Sequence, residues 1–226
     1  MKTLSSHINE ALKIGKNISS FSAYSCQPKT KDELKDIIKK RIKKEGPKCD
    51  LNDIDTSLIE DMSMLFYESK FNGDISKWDT SRVKTILSMF AWSEFNGDIS
   101  KGDVSNVKDA YYAFAYSKFD GDISKWDVSS VESMEAMFER SKFNRDISNW
   151  KVSNVKHMGE MFRDSKFNQD ISKWNVSNVA NMSYMFSGSN FNQDISNWKI
   201  KTGCNTKNIF VGCPIKKKYK PKSLQS

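Results

Sequence analysis

One phrase returns down most of this chain at an interval of 24 residues, and that interval limits the fold more than any other feature. Phe71, Phe95, Phe119, Phe143, Phe167 and Phe191 form one column, and Ile75, Ile99, Ile123, Ile147, Ile171 and Ile195 a second. Trp78, Trp126, Trp150, Trp174 and Trp198 form a third, broken by Gly102; Phe66, Phe90, Phe114, Phe138, Phe162, Phe186 and Phe210 form a fourth. A unit this short cannot close a core alone. One supersecondary unit must stack on copies of itself, each covering the apolar face of its neighbour.

The apolar spacing within a unit predicts how it folds. Ile123-x-x-Trp126-x-Val128-x-x-Val131 has the apolar positions of a leucine-rich repeat, with Trp126 and Val128 facing inward from a short strand and Lys125, Asp127 and Ser129 facing out. Val131, Met134, Met137 and Phe138 then follow at i, i+3, i+6 and i+7, which predicts a short helix or helical turns. Ser129 stands where an N-cap is wanted, Glu132 completes a capping box, and Ser57, Ser81, Ser105, Ser153 and Ser177 hold the same position. The expected fold is an α/β repeat solenoid. Each 24-residue unit would be a leucine-rich-repeat-like coil with one short parallel β-strand and one short helix or helical turn, behind an N-terminal helical cap.

Four segments follow from this pattern. Residues 1–29 form a poorly defined N-terminal segment, weakly amphipathic at Ile8, Leu12 and Ile14. Residues 30–52 are a capping helix and linker: Thr30-x-x-Glu33 is a capping box, Leu34, Ile37, Ile38 and Ile42 follow at helical spacing, and Gly46-Pro47 ends the run. Residues 53–213 hold the repeats with degenerate units at both ends. Residues 214–226 are a basic tail, either solvated or in contact with anionic lipid or nucleic acid.

Charge is distributed unevenly. Residues 1–50 carry 12 basic and 6 acidic side chains, residues 51–198 carry 16 and 22, and residues 199–226 carry 8 and none. The repeat body is therefore acidic between two basic ends, which argues against a nucleic-acid surface along the body, because such affinity comes from many phosphate contacts on one face. A mean hydropathy of -0.64 accompanies the absence of any apolar run long enough for a transmembrane segment. The opening residues contain no apolar signal-peptide core, so the expected location is cytoplasmic. Cys26, Cys49, Cys204 and Cys213 lie outside the obvious repeats with no Cys-x-x-Cys pair, and the only histidines are His7 and His157, which leaves no zinc pattern. A Cys204–Cys213 disulfide would need an oxidising compartment.

The phrase Phe-Asn-Gln-Asp-Ile-Ser-Lys-Trp-Asn-Val-Ser-Asn-Val-Ala-Asn-Met-Ser-Tyr-Met-Phe at Phe167–Phe186 resembles the repeat of BspA-like leucine-rich repeat surface proteins, and the resemblance covers about residues 53–200. It implies a solenoid used for adhesion or protein binding, on a cell surface or secreted by an unconventional route, with no catalytic residues to transfer.

Three sets of positions carry the functional expectations. Asp74, Asp98, Asp122, Asp146, Asp170 and Asp194 form an acidic ladder that either binds calcium or holds turns by accepting backbone amides. Lys77, Asp79, Lys101, Asp103, Lys125, Asp127, Lys151, Lys173 and Asn175 form the expected partner-binding face on the outward strand positions. The unit containing Gly102 breaks the pattern: Ala110 and Ala113 replace Met, and Tyr111, Tyr112 and Tyr116 appear near Trp92. Those tyrosines either fill the void that Gly102 leaves or make an aromatic binding patch with Trp92. No Ser/His/Asp set, metal cluster or phosphate-binding glycine loop is present, so neither an enzyme nor a cofactor is expected. The expected function is a non-catalytic protein-protein interaction or adhesion module. The alternative is a nucleic-acid or anionic-membrane binder working through the basic N-terminal helix and C-terminal tail.

Overall fold

A computed structural model describes residues 24–225; Ile8, Leu12, Ile14 and His7 lie outside the described residues. The 24-residue units stack as successive coils in strict register. Parallel bridges link Asp61, Thr85, Asp109, Ser133, His157, Asn181 and Asn205, one position per coil.

The expected strand and helix of each unit do not form, which corrects the fold predicted from the sequence. Among the described residues the one α-helix is α1, Lys31–Glu45, and the parallel pairings are isolated bridges, not a sheet. The coils are built from turns. Around Trp126 the alternation that suggested a strand comes from two consecutive turns, closed by Trp126 N–H to the Ile123 carbonyl at 3.1 Å and Val131 N–H to the Val128 carbonyl at 3.0 Å. Between them the Asp127 carboxylate accepts the Ser129 amide at 3.0 Å, an amide that strand pairing would have used. Ser129 is thus the capped residue of a turn instead of the N-cap of a helix.

The run that suggested a helix is three overlapping turns. Met137, Glu139 and Ser141 donate to the carbonyls of Met134, Ala136 and Phe138 at 3.2, 3.1 and 3.2 Å. Bonds of this i to i+3 kind place apolar side chains at the same spacing as helical turns. The backbone is not helical, because Ala136 (φ 52°) and Arg140 (φ 50°) are left-handed. Their conformation turns every second amide along the stack: Met134, Ala136, Phe138 and Arg140 donate to the carbonyls of His157, Gly159, Met161 and Arg163 in the next coil, at 2.9, 2.8, 3.0 and 2.8 Å. Left-handed residues cost about 1–2 kcal/mol each. Here they leave these amides paired without a sheet.

The core fills each coil with paired phenylalanines. Phe138 and Phe143 stack within one coil with centroids 4.2 Å apart, and each continues into the next, Phe138 on Phe162 at 5.8 Å and Phe143 on Phe167 at 6.3 Å. The tryptophans close the corner. Trp150 donates its indole N–H to the Ile123 carbonyl one coil back at 3.1 Å, and Trp174 repeats the bond to Ile147 at 3.1 Å. A polar ladder runs beside them: the Asn72 side-chain oxygen accepts the Asn96 amide at 2.8 Å, Asn144 accepts Asn168 at 2.9 Å, and Asn168 accepts Asn192 at 2.8 Å.

Both ends are covered. Thr30 caps α1 by accepting the Glu33 amide at 3.2 Å, and the helix buries Leu34 and Ile38 against the first coil. Arg41 fixes its position with a paired contact to the Asp53 carboxylate at 3.1 and 2.9 Å. At the other end the basic segment stays in register: the Asn192 side chain accepts the Lys216 amide at 3.1 Å, the Tyr219 carbonyl accepts the Ile195 amide at 2.9 Å, and Ile215 is buried. Short 3-10 turns at Lys217–Tyr219 and Lys222–Leu224 complete this cover. Lys216 and Lys218 lie over the Tyr219 ring and Lys220 over Phe210. All four cysteines are free thiols. No described helix is long and apolar enough to cross a membrane.

Candidate functional site

The aspartate ladder serves the turns. Asp74, Asp98, Asp122, Asp146, Asp170 and Asp194 each accept the amide of the serine two residues on, at 2.8–2.9 Å. These amides hold the carboxyls of Asp74, Asp98, Asp122, Asp146 and Asp194 below the usual carboxylate range. The neighbouring carboxylate opposes the effect at Asp98 and Asp146, and Lys101 and Lys173 reinforce it. Among the described residues no group of three or more His, Cys, Asp or Glu is gathered as a metal would require.

The expected partner-binding face divides into two chemistries. Asp79, Asp103, Asp127 and Asn175 accept the amides of Ser81, Ser105, Ser129 and Ser177, so their side chains are committed to turns. Lys77, Lys101, Lys125, Lys151 and Lys173 are exposed and make no ion pair among the described residues. Lys77, Lys101 and Lys125 act over distance on Asp74, Asp98 and Asp122, and Lys151 on Asp127.

The aromatic residues come together on a different side, along the ladder of turns. Trp92 is 50% exposed and stacks on Tyr116 with centroids 3.9 Å apart and planes 11° from parallel. Tyr112 lies 6.4 Å from Tyr116, and Tyr111 5.0 Å from Tyr112. The turns make this possible: Trp92 (φ 59°), Tyr112 (φ 59°) and Tyr116 (φ 57°) are left-handed positions whose amides run along the stack, so position 92 of one coil meets position 116 of the next. These tyrosines do not fill the space at Gly102, which corrects that expectation. The cavity there, about 50 Å³, is lined by Trp78, Trp126, Ile75, Ile99 and other core residues.

Two residues that sequence reasoning missed complete the cluster. Arg140 lies over the other end of the row, 5.4 Å from the Tyr116 centroid, and is held by Asp164 at 3.0 Å. Glu139 is buried and accepts the Tyr112 hydroxyl at 2.7 Å and the Tyr116 hydroxyl at 3.4 Å. Burial and then this hydrogen bond push the Tyr112 phenol well above the usual range. Burial also raises Tyr111, reinforced by the carboxylates of Glu135, Glu160, Glu139 and Asp109. The signal for both missed residues was present in the 24-residue columns: Glu139 stands where Ala91 and Ala115 precede it, and Arg140 where Trp92 and Tyr116 do.

No curated protein and no solved structure matches this chain. The family described as Mycoplasma protein of unknown function, DUF285, matches residues 35–142 and again 113–221, so that its pattern runs from within α1 to the C-terminal cover. With most of its length accounted for by those two matches, the chain belongs to the DUF285 family.

Proposed function

We propose that this protein is a non-catalytic binding module that engages a protein partner through the row Trp92–Tyr116–Arg140. The observation that carries the reading is the exposure of stacked aromatic rings in a rigid register, ending in a guanidinium. Trp, Tyr and Arg are the residues that most often dominate binding energy at protein interfaces, and here they stand together in one row instead of singly. The half-exposed ring of Trp92 suits a partner that brings a lysine or arginine side chain, whose cation packs on a ring face. Protein binding or adhesion is also what the resemblance to BspA-like repeats implies.

The test is capture of partners by the immobilised full chain, compared with Trp92→Ala and Tyr116→Ala and with a control in which Lys77, Lys101 and Lys125 become Glu. The proposed face requires that the two aromatic variants lose the captured protein and that the lysine variant keeps it. Capture lost only in the lysine variant returns the function to the Lys/Asp face. Capture of nucleic acid or anionic vesicles that disappears when residues 216–226 are deleted moves it to the basic ends.

A further inference from the structure

The indole column does more than fill space. Trp78, Trp126, Trp150, Trp174 and Trp198 each donate the indole N–H to a carbonyl one coil back, at Leu51, Ile99, Ile123, Ile147 and Ile171, over 3.0–3.2 Å. The carbonyls of Ile99, Ile123, Ile147 and Ile171 therefore accept twice, once from the indole and once from the amide that closes their own turn. Among the isoleucines followed by another complete coil, Ile75 is the exception. Its carbonyl takes the Trp78 amide at 3.1 Å, but the indole that should complete it is missing because position 102 is glycine.

The path of the backbone does not demand that glycine. Gly102 has no left-handed φ, and a Cβ there would stand 3.8 Å from Trp126 Nε1 and 3.3 Å from the carbonyl of Ile99 in its own turn. The surrounding core has not closed over the gap either. A cavity of about 50 Å³ remains between the coil of Trp78 and the coil of Trp126, with Ile75, Ile99 and Val104 among its apolar walls and Thr80 and Asp103 among its polar residues. Gly102 is partly exposed, so the gap reaches the surface. It lies at the column position where the neighbouring coils carry an indole.

We infer that the Gly102 slot is a binding site for a planar aromatic group carrying a ring N–H, of which indole is the simplest. The ring enters at Gly102, lies between the coils of Trp78 and Trp126, and donates its N–H to the Ile75 carbonyl. Apolar walls with one placed polar group are the ordinary make-up of a small-ligand site, and indole N–H groups seek an acceptor when buried. The chemistry has two sources, a small indole or a tryptophan side chain offered by a partner. The inference does not depend on the Trp92–Tyr116–Arg140 row, whose residues do not line the slot.

The experiment titrates the full chain with free indole and follows the melting temperature, which must rise saturably if the folded state alone binds. 1-Methylindole keeps the ring but cannot donate, and is expected to bind at least about threefold more weakly. Gly102→Trp supplies the ring covalently, so its melting temperature rises and indole no longer shifts it. If that variant misfolds, Trp150→Gly asks the same question in another layer: its melting temperature falls, and indole restores part of the loss. A tryptophan-bearing peptide that binds more than about tenfold tighter than indole assigns the slot to a partner side chain, and the reverse order assigns it to a small ligand. No shift with millimolar indole, or an equal shift in Gly102→Trp, overturns the inference.

Discussion

The indole Nε1 of Trp150 lies 3.1 Å from the main-chain oxygen of Ile123, tying the corner of one coil to the turn of the coil before it. Trp150→Phe keeps an aromatic ring in the column but removes this donor and part of the buried volume. The expected loss is about 2 kcal/mol, roughly half from the hydrogen bond and half from packing. Urea unfolding monitored by circular dichroism measures it; a loss near zero would mean that the bond carries no weight.

Acid should weaken the stack in a defined window. Asp74, Asp98, Asp122, Asp146 and Asp194 have carboxyls depressed first by the serine amide that each accepts. A depressed folded-state value contributes stability that is present above the unfolded value and is lost as pH falls through the folded one. The melting temperature is therefore expected to be flat with respect to these groups from pH 7 to about 5 and to fall below about 4. At pH 7, Asp146→Asn keeps an accepting oxygen, as Asn175 does in the neighbouring column, but loses the charge, so it should cost less than Asp146→Ala, for which about 1 kcal/mol is expected. Equal losses in both variants would remove the turn as the reason for the ladder.

Met64 holds a left-handed φ of 58° while 40% exposed, so its side chain gives little back for the strain. Met64→Gly is expected to stabilise the protein by about 1 kcal/mol, and Met64→Val to destabilise it by at least as much. Thermal melts of the two variants decide this. A stable valine variant would contradict the turn geometry of the whole ladder.

Tyr112→Phe leaves the buried Glu139 carboxylate with only the longer contact from Tyr116. The expected cost is about 1–3 kcal/mol, that of leaving a buried acceptor under-satisfied. Chemical denaturation reads the stability. Trp92 fluorescence should change as well, because Tyr116, on which Trp92 stacks, loses its partner in the pair of hydroxyls on Glu139.

The stacking and the cap were legible because they rest on columns and caps. The phenylalanine and tryptophan positions show at a glance which side chains meet, and Thr30, Glu33 and Gly46 bracket α1 at Lys31–Glu45. The internal form of the coil was not legible, since apolar residues at i and i+3 are as compatible with overlapping turns as with a helix. What separates the two is the sign of φ at Ala136 and Arg140, and neither is glycine or asparagine, the residues that usually announce it. The strand was misread for a related reason: the spacing of Trp126 and Val128 records which side chains face inward, while the Ser129 amide goes to Asp127. The aromatic patch was partly legible. Trp92, Tyr111, Tyr112 and Tyr116 stand out as exceptions to the repeat, but Glu139 and Arg140 look like ordinary surface charges until the stack sets them beside the rings.

The side-chain ladder from Asn72 to Lys216 advances by one rung per 24 residues, and the bonds from Met134, Ala136, Phe138 and Arg140 advance in the same step. Losing or gaining a single residue inside a coil would break the rungs that span it, while the rungs between later coils keep their 24-residue step. Removing or adding a whole coil would leave each remaining rung with an equivalent neighbour. Changes of length that leave every rung intact therefore come in whole coils, while each coil remains free to change the side chains that it shows to the outside.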